Sequence, residues 1–302
     1  MPDPLRKTIS ASQVAALFNV SSYATRWMMY QQFAHGVVMD QAESPRMKWG
    51  RILQMPILKQ VAADWRFEVF PNEGDLYVRR GLLGCTRDAE IMAPGRGIGA
   101  VEVKCVFDYD VWAAKWDGGK RVPREHEIQL QTQMLVGDGT DSYRWGLIVA
   151  WVCADVYYFE RQPIPDLWRR LEFEALSFFR SIENQQEPDP FGSPIEIPWM
   201  STLFPVRENA VLDLSDQYAH VKTAEDVQQY KHHAQLTTSN SNAAEELKAK
   251  LLALAKDNNE VRLPCGVKYW VRKHGKGKRV LPFVPDVPSP PPPVPESALH
   301  AG

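Results

Sequence analysis

Ala100-Val101-Glu102-Val103-Lys104-Cys105-Val106 decides how the rest of the chain is read. Its valines and cysteine give it the character of a buried strand, interrupted by two charges at a spacing of two. Side chains two apart on a strand share a face, so Glu102 and Lys104 reach one spot together. A carboxylate there suits a divalent cation, and the ammonium beside it suits a nucleophilic water or a growing negative charge. Asp88 follows the strand-like run Leu82-Leu83-Gly84-Cys85 and is placed to supply a second carboxylate from the neighbouring strand. Oxygen donors alone favour Mg²⁺ or Mn²⁺ over zinc.

The spacing also has a bland explanation, an ordinary ion pair, because Glu-x-Lys is expected about once in a chain of this length. A second copy, Glu246-Leu247-Lys248, falls in a helical pattern where residues two apart diverge, and is set aside.

Around the decisive stretch, helical and strand patterns alternate. Ser10-Ala11-Ser12 ahead of Val14, Leu17 and Phe18 reads as a capped short helix. A second helix is expected over about 23–35, closed by Gly36. A third begins at Ser44-Pro45, with proline at the first helical position. Trp49, Leu53, Ile57, Val61 and Trp65 form its apolar face, and Pro56 inside that face predicts a kink or a late start. Short strands are expected over 67–70, 75–78, 82–85 and 100–106, then a helix over 125–136 and strands over 145–152 and 155–160. Pro165 and Asp166 open a further helix with Leu167, Trp168, Leu171, Ala175, Phe178, Phe179 and Ile182 on one face. This order predicts an α/β (α+β) fold with a central mixed sheet flanked by helices.

The first domain is read as residues 1–200. Residues 201–286 are a more polar C-terminal extension, with a helix over 243–256 and a hairpin over 261–283 turning at Gly275-Lys276-Gly277. The Pro-rich residues 287–302 are expected to be a disordered, solvated tail.

Composition narrows the function classes. The 302 residues are 44% hydrophobic and 24% charged, which excludes a wholly disordered or fibrous chain. With 35 Lys and Arg against 37 Asp and Glu, a globally basic DNA coat is excluded, although local basic patches are not. No apolar run approaches the ~20 residues of a membrane-spanning helix, and the first residues lack the apolar core of a signal peptide. Cys85, Cys105, Cys153 and Cys265 are scattered, which argues against a zinc site or a disulfide framework and for a reducing cytoplasm.

Five pieces stand in order along the chain: Ile9-Ser10-Ala11-Ser12-Gln13-Val14, Trp49-Gly50-Arg51, Gly84-Cys85-Thr86-Arg87-Asp88, Glu102-Val103-Lys104-Cys105 and Gln129-Leu130-Gln131-Thr132-Gln133-Met134-Leu135-Val136. Together, over roughly residues 5 to 190, they resemble the lambda-exonuclease and YqaJ-like viral recombinase group of the PD-(D/E)XK nuclease superfamily. The resemblance implies a restriction-endonuclease-like core and a Mg²⁺- or Mn²⁺-dependent exonuclease. Its substrate would be double-stranded DNA ends, degraded 5′ to 3′ in phage-type homologous recombination. By the same resemblance Asp88 and Glu102 ligate the metal with the backbone carbonyl of Val103, Lys104 orients the attacking water, and Gln129 is an active-site glutamine. Ser12 and, more weakly, Thr86 match phosphate-contacting positions, and Arg6 stands in for an upstream phosphate-binding arginine at a different offset. Gln54, Arg87 and Gln131 are also expected on the DNA-binding side. A ring-shaped homo-oligomer, a single-strand annealing partner and a bacterial cytoplasm carrying a phage or prophage are implied as well.

Two positions depart from the family pattern. Arg87 replaces the proline before the metal-binding aspartate. Gln54 replaces the glutamate that follows Trp-Gly-x-x-x; it keeps the size and one acceptor oxygen but loses the charge. Two alternatives therefore stand beside the exonuclease: another nuclease of the superfamily, cutting internally or at branches, and a weakened scaffold that binds DNA ends. Phosphate-binding candidates are Arg79, Arg80 and Arg87; Lys115, Lys120, Arg121 and Arg124; and the hairpin cations Arg272, Lys273, Lys276, Lys278 and Arg279. Trp112 and Trp116 are candidates for stacking on a frayed base.

Overall fold

The computed structural model describes residues 8–38, 43–72, 76–217, 220–235, 241–274 and 277–283. They fall into two compact units, Met1–Pro188 and Asp189–Gly302, a break somewhat ahead of residue 200.

The first unit opens with β1 (Ile9–Ser10), α1 (Ala11–Leu17), α2 (Arg26–His35) and α3 (Pro45–Trp65). The strands β2 (Glu68–Pro71), β3 (Tyr77–Arg80), β4 (Leu83–Thr86), β5 (Ala89–Ala93) and β6 (Gly97–Val106) follow. Then come α4 (Tyr109–Trp116), α5 (Arg124–Val136), β7 (Gly146–Val152), β8 (Asp155–Arg161) and α6 (Pro165–Glu183). The helix boundaries follow their signals. Thr25 caps α2 by accepting the Met28 N–H at 3.3 Å, and Gly36 closes it with φ at 66°. Ser44 accepts the Met47 N–H at 3.2 Å ahead of Pro45. The helix α3 then runs unbroken through Pro56, so the expected late start does not occur. Its apolar face is also shorter than the periodicity implies. Ile57, Leu58 and Val61 are buried, but Trp49 is 54% exposed, because the helix meets the core through its C-terminal half.

Two sheets form. The small one has the order β1-β4-β3, and the central mixed one has the order β2-β5-β6-β7-β8. In the central sheet β6 is antiparallel to β5 and parallel to β7. This is the expected mixed sheet, with one correction: β4 belongs to the other sheet, so the strand beside β6 is β5. Ala89-Glu90-Ile91-Met92-Ala93 holds a single β-branched residue, which is why its strand character is faint in the sequence.

Helices cover both faces of the central sheet. Ile57, Leu58 and Val61 of α3 pack with Val101, Leu147 and Val149 on one side. Trp112 and Trp116 of α4 and Leu130 and Met134 of α5 pack with Ala100, Ile148 and Ala150 on the other. The period of two along β6 therefore turns Glu102 and Lys104 toward α5. Gly146 lets that helix lie close: a Cβ there would stand 2.9 Å from Met134 Sδ and 3.1 Å from Leu130 Cδ1.

The second unit contains α7 (Ile197–Leu203), β9 (Arg207–Asp213), α8 (Val221–Gln235), α9 (Ser241–Ala255), β10 (Asn258–Arg262), β11 (Lys268–His274) and β12 (Gly277–Phe283). Its sheet has the order β12-β11-β10-β9. Val261, Tyr269, Val271 and Val280 are buried, and the Tyr269 hydroxyl donates to the Leu251 carbonyl at 2.8 Å. The expected helix and hairpin are present as α9 and β11–β12, whereas α8 and β9 extend beyond the expectation. Residues 275–276 of the turn and the Pro-rich tail lie outside the described residues, as does Arg6. Among the described residues no helix is long and apolar enough to cross a membrane.

Candidate active site

The site forms where β5 ends alongside β6. Ala89 of β5 is opposite Val101 of β6, and β6 continues past that pair with no further partner residue in β5. Asp88, the residue just before β5, takes up the free edge: its Oδ2 accepts the Val103 N–H at 2.7 Å. The N–H and C=O of one strand residue point to the same edge, so the Val103 carbonyl faces the same gap.

On the α5 side, Glu102 is buried and fully engaged. Its Oε1 takes the Lys104 ammonium and the Gln129 Nε2, each at 2.7 Å. Its Oε2 takes the Gln133 Nε2 at 2.5 Å. Lys104 Nζ in turn donates to Gln129 Oε1 at 2.8 Å, so Lys104, Glu102 and Gln129 form a closed ring of hydrogen bonds.

Electrostatics mark the same spot. Burial and then the Glu102 charge push the Asp88 carboxyl up to about 8, against the pull of the Val103 N–H and Lys104. For Lys104, burial alone would lower the ammonium, but Glu102 and Asp88 together hold it above its ordinary value. A carboxyl that resists ionising beside a second carboxylate suits a site where a cation offsets the charge. The donors fit Mg²⁺ or Mn²⁺: two carboxylates and a backbone carbonyl, all hard oxygen, leaving room for the waters such ions retain. Among the described residues no group of three or more His, Cys, Asp and Glu side chains is placed to hold a metal.

A cavity of about 360 Å³ opens beside this cluster, lined by Ser12, Arg46, Lys104, Lys115, His126 and Gln129 among others. Lys115 Nζ donates to Ser22 Oγ at 2.8 Å, and the Ser22 backbone and hydroxyl are held by Glu125. Burial, with the charges of Lys104 and Lys115, pushes the His126 imidazole down to about 3, so it stays neutral.

The structure thus brings Asp88, Glu102, Val103, Lys104 and Gln129 together and sets exposed Ser12 at the cavity. Thr86 is exposed at the end of β4, and Gln54 is half-buried on α3 one turn beyond Gly50, which also lines the cavity.

Other expected residues have different duties. Arg87 is buried; it donates to the Gly137 carbonyl and pairs with Glu90, each at 2.5 Å, and stacks over Tyr143. It is therefore unavailable to DNA. Gln131 is fully buried, two residues from Gln129 and so on a different face of α5. Its amide donates to the Gln162 carbonyl at 2.8 Å and accepts from Trp168 Nε1 at 2.9 Å and the Ile164 N–H at 3.1 Å. Trp112 and Trp116 are core residues stacked on each other, with centroids 5.3 Å apart. Arg80 donates to the Leu135 carbonyl and Ser142, and Lys278 to the Phe204 and Lys256 carbonyls. Of the hairpin cations, Arg272 and Lys273 are exposed.

Gln133, His126, Ser22 and Glu125 escaped the sequence reading, whereas Lys115 was among its phosphate-binding candidates. The signal for Gln133 was its helical spacing: it follows Gln129 by four residues and so shares its face.

The model of the YqaJ-like viral recombinase domain matches residues 5–141. Among solved structures, an alkaline exonuclease (LHK-Exo) from Laribacter hongkongensis is similar at 17% identity and a TM-score of 0.47, over 59% of this chain and 89% of that one. The same exonuclease in complex with dAMP is similar at 17% identity and a TM-score of 0.47, over 60% and 91%. A phage-related exonuclease from Haemophilus somnus 129PT is similar at 11% identity and a TM-score of 0.44, over 59% and 94%. No curated protein matches the chain.

Proposed function

We propose that this chain, whose residues 5–141 carry a YqaJ-like viral recombinase domain, is a divalent-cation-dependent exonuclease that degrades double-stranded DNA ends 5′ to 3′ in phage-type recombination. One observation carries the reading: the Lys104 ammonium lies 2.7 Å from Glu102 Oε1 and 2.8 Å from Gln129 Oε1 while Asp88 is fastened to the next backbone N–H, that of Val103. A pure ion pair would need neither the glutamine nor the second carboxylate.

Asp88, Glu102 and the Val103 carbonyl are the residues that would hold Mg²⁺ or Mn²⁺. When bound, such an ion polarises a phosphodiester and lowers the pKa of a bound water. Lys104, held by Glu102 and Gln129, places a fixed positive charge where negative charge grows in the transition state. Gln129 keeps that ammonium aimed by accepting from it and donating to its carboxylate partner. Ser12 and Lys115, on the cavity wall, supply donors for backbone phosphates. A single-strand annealing partner and a ring of subunits belong to the same proposal.

The test uses linear duplex with and without a 5′-phosphate, and closed circular DNA, each with Mg²⁺ or EDTA. Degradation of linear DNA alone, with preference for the 5′-phosphorylated end, is the expected result. Lys104→Ala should lower the cleavage rate by ~10²–10³-fold, the scale of removing one charge-stabilising donor, while duplex binding changes little. Cleavage by Lys104→Ala at the unaltered rate would overturn the assignment.

A second reading, a scaffold that holds DNA ends without cutting them, is favoured by the uncharged Gln54 and by the absence of a third acidic ligand among the described residues. Binding of linear DNA without degradation selects it.

A further inference from the structure

Gln133 is fully buried on α5, one turn beyond Gln129 and on the same helix face. Its Nε2 donates to Glu102 Oε2 at 2.5 Å, while Gln129 and Lys104 meet the other oxygen, Oε1, at 2.7 Å each. The carboxylate is gripped from both ends, and Gln133 holds the inner one. The far end of the same amide has no such role: Gln133 Oε1 is buried with no partner among the described residues. Turning the amide over gives no relief, because it would set an acceptor oxygen against the Glu102 carboxylate.

A buried acceptor without a donor is costly, and an apolar side chain of similar volume avoids the cost. Leu130 and Met134, nearby on the same helix, fill their places in that way. Glutamine at 133 is thus a poor choice for packing and a good one for gripping Glu102.

We propose that Gln133 is a positioning residue that fixes the plane of the Glu102 carboxylate and thereby sets the affinity of the site for a divalent cation. This rests on the exonuclease reading and deepens it. Residues that orient a metal-ligating group typically contribute ~10–100-fold in metal affinity or activity.

The full-length protein is compared with Gln133→Met, Gln133→Asn and Glu102→Gln. Three quantities are measured: Mn²⁺ binding by calorimetry, the melting temperature in EDTA, and cleavage of linear duplex across a Mg²⁺ series. Gln133→Met is expected to bind Mn²⁺ ~10–100-fold more weakly and to need correspondingly more Mg²⁺. It should also melt in EDTA no lower than the wild type, because an unpartnered polar atom has been removed. Gln133→Asn, whose shorter amide no longer reaches Glu102, should lose Mn²⁺ affinity similarly and covers the case where methionine does not fold. Wild-type Mn²⁺ affinity in either folded variant overturns the role and leaves the exonuclease reading standing. A fall in affinity matched by a fall in the EDTA melting temperature in both variants also overturns it, since that is what a merely structural residue would give. If the wild type binds no Mn²⁺, or Glu102→Gln binds it equally well, the exonuclease reading fails first and the role of Gln133 with it.

Discussion

Asp88 Oδ2 accepts the Val103 N–H at 2.7 Å, in the place a further β5 residue would occupy beside β6. A side chain thus completes the edge of a sheet, and in doing so it is brought up to Glu102, whose charge raises the proton affinity of Asp88 further. The folded chain holds this conflict ready-made, and a bound dication would resolve it.

Asp88→Asn follows directly. The amide oxygen still accepts from Val103, so the edge is kept while the charge is removed. The variant should lose cleavage and, in EDTA at pH 8, gain at least ~1.4 kcal/mol, the equivalent of one pH unit of proton affinity. Mg²⁺ should stabilise the wild type by mass action and leave the variant unmoved. Urea denaturation with EDTA and with Mg²⁺ checks both. An equal response to Mg²⁺ in the two proteins removes Asp88 from the site.

Arg87 yields the opposite signature to a phosphate contact. Truncation to alanine strips Glu90 and the Gly137 carbonyl of a buried charged donor, so Arg87→Ala should cost about 2–4 kcal/mol of stability. A phosphate-contacting arginine would instead change the salt dependence of duplex binding by ~0.9 in log–log slope. The expected result is a lower denaturation midpoint with that slope unaltered. A slope that falls by such an amount in a variant of unchanged stability would return Arg87 to the DNA surface.

These two residues also show how far the sequence could be read. Glu102, Lys104 and their shared face were legible, because alternation on a strand is a local property and the flanking valines announce the strand. The placement of Asp88 close to Glu102 was legible but the strand that carries it there was not: β5 is built from alanine, glutamate, isoleucine and methionine, and its strand pairing is decided by partners on both sides. Arg87 and Gln131 look like solvent-facing polar residues until tertiary packing buries them against Glu90, Gly137 and Trp168. The tryptophans of α4 were open to two readings, stacking on a base or packing in the core, and tertiary packing decides for the core.

Gln54 offers a gain-of-function test. It lies one turn beyond Gly50, which lines the cavity, and by the resemblance it stands where the family has a glutamate of the metal site, so a carboxylate there is expected to add negative charge within reach of the cation. Gln54→Glu should lower the Mg²⁺ concentration for half-maximal cleavage by several-fold, an effect on the order of 1 kcal/mol at a partly screened site. A Mg²⁺ titration of cleavage rate reads it directly. No change in the midpoint would place residue 54 outside the reach of the cation.

His126 makes the fold sensitive to acid. Burial first, and then the charges of Lys104 and Lys115, push its imidazole down to about 3. In the unfolded chain a histidine takes up its proton near pH ~6.5. Between those values the unfolded chain binds a proton that the folded chain refuses, so the stability held by the neutral imidazole is present above ~6.5 and is lost as the pH falls toward 3. The slope from this one group is at most ~1.4 kcal/mol per pH unit. The acids with depressed values, such as Glu160 and Asp138, act in the same direction but below their ordinary carboxylate range, whereas Asp88, held up to about 8, acts in the opposite direction across pH 6.5 to 5, so the His126 contribution is read there as the difference between two proteins that share Asp88. His126→Gln, which cannot titrate, should therefore gain stability relative to the wild type by up to ~1.4 kcal/mol for each pH unit descended across that window, while differing from it at pH 7.5 only by what repacking against Trp116 requires. Denaturation midpoints at half-unit intervals decide it: parallel curves for the two proteins would mean that the imidazole protonates in the folded state as it does in water, and that the wall of the cavity beside Lys104 is wetter than its burial implies.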